Sequence, residues 1–147
     1  MTREVIGVGP DTPVHDVARL LLDHDISGVP VLAPTGRLVG IITEADLIVR
    51  TANVHFPSYL QILDSYLILG DRKKYDEEVR RVLGSTAEEI MTRDVISVRP
   101  DTDLGEVARL MFEKRVNPVP VVEGKRVVGI ISRSDIVREM VRRMESA

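Results

Sequence analysis

The 147 residues contain no cysteine and no tryptophan. Without a thiol the chain can form no disulfide, no thiolate metal site and no cysteine nucleophile. Aromatic residues make up only 3%. The core must therefore be aliphatic, and stacking platforms for bare nucleic-acid strands are scarce. Lysine and arginine number 20 against 23 aspartates and glutamates, a net charge of −3. No lysine/arginine-rich patch stands out, which argues against a nucleic-acid partner. No apolar run is long enough to span a bilayer. The opening MTREVIGVGPDT lacks the apolar centre of a signal peptide. These absences lead us to expect a soluble, cytoplasmic protein without membrane insertion.

What is present is a repetition. MTREVIGVGPDT returns as MTRDVISVRPDT, VARLLLDHDISGVPVL as VARLMFEKRVNPVPVV, and RLVGIITEADL as RVVGIISRSDI. The match runs through residues 1–50 and 91–139, so it is a duplication. Each copy starts with a short extended run, Val5–Val8 or Val95–Val98. A Pro-Asp turn follows, with Thr12 or Thr102 as expected helix caps and Pro13 at a helix start. Val14, Val17, Ala18 and Leu21 recur at helical spacing, as do Leu104, Val107, Ala108 and Met111. Two apolar runs joined by a turn come next, then a second helix. The fold class is α/β (α+β): tandem βαββα repeats over residues 1–50 and 91–147. About fifty residues bury a poor core alone, so the copies are expected to pack together about a pseudo-twofold axis.

Residues 51–90 match neither copy. They read as a helical insert, two helices broken near Gly70-Asp71, with Leu60, Leu63 and Leu67 on one apolar stripe and Tyr75, Val79 and Val82 on another. Ser85-Thr86-Ala87-Glu88-Glu89 reads as the capped start of a short helix.

The phrases ISGVPVL and VNPVPVV, followed by GIITEAD and GIISRSD, resemble the CBS domain pair, also called a Bateman module. The resemblance covers both copies and leaves out the insert. It implies a regulatory module that binds an adenosine nucleotide (AMP, ADP or ATP) as a regulatory ligand, with no obligatory cofactor, and passes a conformational change to an effector protein. S-adenosylmethionine or NAD as ligand, or a ligand-free scaffold, are the alternatives. It also implies a homodimer, four repeats in a flat disc, with Val14, Val17, Leu47 and Ile136 as interface or core positions.

Physical chemistry gives the motif a use. Thr43 and Ser132 end a strand and begin a helix, whose free N–H groups and positive end suit a phosphate. Asp46 and Asp135, one turn on, can accept hydrogen bonds from ribose hydroxyls. The hydrophobic segments Ile26–Pro30 and Val116–Pro120, which hold Val29, Pro30, Val119 and Pro120, could sandwich a base, and the resemblance adds Ile6 and Ile96 to that pocket. The bland alternative is a capping box, close to the S/T-x-x-E form. A capping threonine can also touch a phosphate, so the readings are compatible. Glu44 follows the first hydroxyl and Arg133 the second. On charge alone the Ser132/Asp135 site should prefer a polyphosphate and the Thr43/Asp46 site should not. Gly28 is replaced by Pro118 in the second copy, so the two sites need not be equivalent.

Nothing points to catalysis. His15, His24 and His55 have no metal-ligand spacing, and no histidine stands in a repeated place beside the hydroxyl residues. GVGPDT is neither a Walker loop nor a dinucleotide-binding fingerprint.

Overall fold

The computed structural model describes residues 5–52 and 65–146, with side chains described within 5–51 and 73–146. In the first copy, α1 (Val14–Asp23) leads to the antiparallel pair β1 (Gly28–Leu32) and β2 (Leu38–Thr43), then to α2 (Glu44–Ala52). The insert contributes α3 (Ser65–Leu83) and α4 (Ala87–Ile90). The second copy repeats the order with α5 (Leu104–Lys114), β3 (Val119–Glu123), β4 (Arg126–Ile131) and α6 (Arg133–Ser146).

The expected first strand of each copy is reduced to one parallel bridge, Val8 to Val31 and Val98 to Val121. Both hairpins carry an irregularity at the same place, after Val31 and after Val121. Their turns use Gly36 and Gly124 at φ 88° and 67°, a conformation open to glycine. The helices before them also end alike. Asp25 and Arg115 adopt left-handed φ of 50° and 53°, and Ile26 N–H and Val116 N–H reach back to the carbonyls of Leu21 and Met111. This is the 6→1 bond of a Schellman ending.

Equivalent residues meet across the axis. Arg37 bridges Arg126, and Gly28 sits so close to Pro118 that a Cβ on it would lie 2.8 Å from the proline ring. Contacts between equivalent positions are what a local twofold requires. Three further ties join the copies. Leu38 N–H donates to the Lys125 carbonyl at 3.0 Å, Asn117 Nδ2 donates to Ser27 Oγ at 3.2 Å, and Thr92 pairs with Ile41 on the outer edge of β2.

The first core gathers Val14, Val17 and Leu21 of α1 with Val29, Val31 and Ile42 of the sheet. Val82, Ala87, Ile90 and Met91 from the insert and its junction complete it. The second core is built from Val98, Val107, Met111, Val119, Val121 and Ile131. Leu47 and Ile136 pack against these cores from the side, and Val14 and Val17 are fully buried. All four are therefore core positions. The exposed apolar side chains of α2 and α6 are their neighbours Ile48, Val49, Val137, Met140, Val141 and Met144.

Two local expectations are corrected. Thr12 and Thr102 do not cap helices. Their hydroxyls accept the N–H of Gly9 and Arg99 at 3.0 and 2.9 Å and close the preceding turn. Pro13 and Asp103 occupy the cap positions, and the first N–H of α1 is met instead by the Ser85 carbonyl at 2.8 Å. The insert also contains no break at Gly70-Asp71, because α3 runs through it. The side chains of Leu60, Leu63, Leu67 and His55 lie outside the described residues. The short helix at Ala87 has its capping acid: Glu89 accepts the N–H and hydroxyl of Thr86 at 3.2 and 3.0 Å.

Candidate functional site: two clefts between the copies

Each GII(T/S)xxD phrase does end a strand and start a helix. Thr43 closes β2 before α2, and Ser132 lies between β4 and α6. The side chains form reciprocal capping boxes. Asp46 Oδ2 accepts the Thr43 N–H at 2.9 Å, and Thr43 Oγ1 accepts the Asp46 N–H at 3.2 Å. Asp135 Oδ2 accepts the Ser132 N–H at 2.9 Å and the Ser132 hydroxyl at 3.2 Å, while Ser132 Oγ accepts the Asp135 N–H at 3.3 Å.

The second carboxylate oxygens are engaged differently. Asp135 Oδ1 accepts Arg138 Nη1 at 2.8 Å, a residue of the same helix. Asp46 Oδ1 accepts the hydroxyl of Thr92 at 3.3 Å, from the segment that leads into the second copy. Burial pushes the Asp135 carboxyl up, the Ser132 backbone N–H, the Ser132 hydroxyl and Arg138 pull it down, and it lies below its ordinary range.

Two clefts open at these helix starts, and each is built from both copies. The first, about 410 Å³, sets Ser132 and Asp135 opposite Ile6, Ile26 and Glu44. The second, about 200 Å³, sets Thr43 and Asp46 opposite Thr92, Asp94 and Ile96. Ile6 and Ile96 thus line the clefts formed by the other copy's helix start. Asn117, Pro118 and Arg133 line both.

Glu44 does not face the Thr43/Asp46 cleft. It lines the Ser132/Asp135 cleft, which opens at the other copy's helix start. Arg133 reaches both. Of the segments Ile26–Pro30 and Val116–Pro120, Ile26 and Gly28 line the first cleft, Val116 the second and Pro118 both, while Val29, Pro30, Val119 and Pro120 line neither and are fully buried. Their side chains face the interior rather than a cleft.

Sequence reasoning missed Asp25, Arg115 and Asn117. Asp25 lines the larger cleft and its equivalent Arg115 the smaller, so one position carries opposite charge in the two. Asn117 fixes the wall between them: its Oδ1 accepts the Arg133 N–H at 3.0 Å while its Nδ2 holds Ser27. The available signal was the break in the repeat, where DISG becomes RVNP. Among the described residues no cluster of acids and histidines is placed to hold a metal.

A family model of the CBS domain matches residues 1–52 and 87–142. The chain belongs to the CBS domain family. The CBS pair is 32% identical to an uncharacterised protein, MJ1426, of Methanocaldococcus jannaschii, over 95% of this chain and 88% of that one. A crystal structure of CBSX2 of Arabidopsis thaliana in complex with AMP superposes with a TM-score of 0.71 at 25% identity, covering 95% of this chain and 90% of that one. The same pair is 28% identical to part of the inosine-5'-monophosphate dehydrogenase of M. jannaschii, over 92% of this chain but 22% of the enzyme. CBS pairs therefore resemble both stand-alone proteins and segments within larger ones. Among the described residues no helix is long and apolar enough to cross a membrane.

Proposed function

We propose that this CBS pair is a non-catalytic regulatory module that binds an adenosine nucleotide, AMP, ADP or ATP, in the clefts between its copies. The observation that carries the reading is the construction of the clefts. Each sets a hydroxyl residue, a helix start and an aspartate against the early apolar run of the opposite copy. A base would lie against Ile6 or Ile96, ribose hydroxyls at Asp135 or Asp46, and phosphates near Arg133. The likeness to CBSX2, crystallised with AMP, supports the same ligand class.

Because each cleft is shared, a ligand that fits both walls biases how the copies sit on one another. A second copy of the chain is the reader we propose first. Ile48 and Val49 of α2 and Val137, Met140, Val141 and Met144 of α6 are half or more exposed, an apolar surface suited to a homodimer. An effector protein would read the dimer.

One observation favours a second reading, a scaffold without ligand. All four oxygens of Asp46 and Asp135 already have partners within the protein. A thermal-shift screen with AMP, ADP, ATP, S-adenosylmethionine and NADH separates the two. A ligand present at a hundred times its Kd should stabilise the native state by about 2.7 kcal/mol. No shift with any of the five sinks the sensing reading and leaves the scaffold. A shift with S-adenosylmethionine or NADH alone moves the ligand class.

A further inference from the structure

Among the described residues one cation, Arg133, lines both clefts. Asn117 is pinned from both sides, and Pro118 is wedged against Gly28. Arg133 is held only by its backbone N–H. Its guanidinium is exposed and, among the described residues, has no ion pair. It nevertheless lines both clefts. We propose that Arg133 is a single anion ligand shared by the two clefts, so that a phosphorylated ligand in one weakens the binding of a second in the other. The proposal rests on the nucleotide reading above.

The chemistry left behind sets the order. With Arg133 turned away, the larger cleft keeps Arg138, already paired with Asp135, against the carboxylates of Asp25 and Glu44. The smaller cleft keeps Arg115, which has no ion pair among the described residues, against Asp94. The first phosphate therefore goes to the Thr43/Asp46 cleft, where Arg115 and Arg133 can both meet it. A second phosphate at the Ser132/Asp135 cleft finds Arg133 committed and two carboxylates unopposed. The coupling is reciprocal, since linkage makes each ligand weaken the other by the same factor.

The test is calorimetric titration of the full chain with AMP and with adenosine. Asp135→Asn and Asp46→Asn keep an acceptor for their caps and report the two single-site affinities; urea melts confirm that they fold. In the unaltered protein the second AMP should bind roughly tenfold or more weaker than its single-site value, the scale of one lost charge-assisted hydrogen bond. Adenosine, which lacks the phosphate, should show no such gap. Arg133→Gln should close the gap for AMP to within about twofold, and added salt should narrow it. The proposal is overturned if both AMP sites fill at their single-site affinities, if adenosine shows the same gap, or if Arg133→Gln keeps it. A protein that binds AMP independently in both clefts loses only the shared arginine. A protein that binds nothing in the thermal-shift screen loses the nucleotide reading as well.

Discussion

Replacing Asp135 by alanine separates a cap from a cap that also binds. The side chain is 14% exposed and accepts the Ser132 N–H, the Ser132 hydroxyl and Arg138. Removing it strips the start of α6 of its capping acceptor, a loss of about 0.5–2 kcal/mol. Arg138 is 73% exposed, so its lost ion pair adds only a few tenths of a kcal/mol. We expect Asp135→Ala to cost about 1–2 kcal/mol in a urea melt, or about 2–4 °C in Tm for each kcal/mol at this chain length. Asp135→Asn keeps an oxygen for the Ser132 N–H and should lose less. The protonation state adds a second reading. The folded carboxyl sits below its ordinary value of 3.8. A carboxyl depressed by folding stabilises the native state above its unfolded pKa, and that contribution fades as pH falls through the folded value. The gap between the unaltered protein and Asp135→Asn should therefore be full near neutral pH and shrink below about pH 4. A stability for Asp135→Ala within about 0.3 kcal/mol of the unaltered protein, at neutral pH, refutes the capping account.

Beyond its stability cost, Asp135→Ala should weaken AMP binding at its cleft by roughly 1.5–3 kcal/mol, the scale for hydrogen bonds to a charged group. Calorimetry showing unchanged affinity would leave Asp135 a cap alone. Gly40→Ala should destabilise the protein by about 1–3 kcal/mol, because a Cβ there would land on the Met91 side chain, including its Cβ at 3.1 Å; a urea midpoint that does not move would show that Met91 can swing aside. Met140→Asp and Val137→Asp put a charge on the exposed apolar face of α6, and sedimentation at micromolar concentration should convert a dimer to a single chain without loss of helix content. A protein that sediments as a single chain before any substitution removes the proposed homodimer.

The duplicated architecture was legible because it is local. Val14, Val17 and Leu21, or Val107 and Met111, mark a helix face by spacing alone, and each set is buried where the spacing puts it. The errors in the elements were also local, and each had a competitor. Thr12 could cap a helix or close a turn. The turn won because Gly9 N–H lies three residues back, while the helix's first N–H had a better acceptor in Ser85, 71 positions away along the chain. Gly70-Asp71 looked like a break, but glycine within a 19-residue helix costs only about 1 kcal/mol. That is too little to stop a helix that lies alongside α1 and α2.

The site was harder to read because its walls come from opposite sides of an axis. Sequence spacing joins Glu44 to Thr43 and so suggests that their side chains share one cleft. An α-helix breaks that inference at its first residue. Thr43 is still in the strand and turns its hydroxyl back to Asp46, while Glu44 is already one helical step on, rotated by about 100°. Across a twofold interface that rotation is enough to send Glu44 to the other cleft. The same step sends Arg133 toward the Thr43 cleft, and Arg133 lines its own cleft as well. Val29, Pro30, Val119 and Pro120 lie off the clefts for a different reason. The Val-Pro-Val run that carries them is identical in the two copies, and in both it is buried in the interior. The residues that distinguish the clefts stand where the copies differ: Asp25 against Arg115, Ser27-Gly28 against Asn117-Pro118, Glu44 against Arg133.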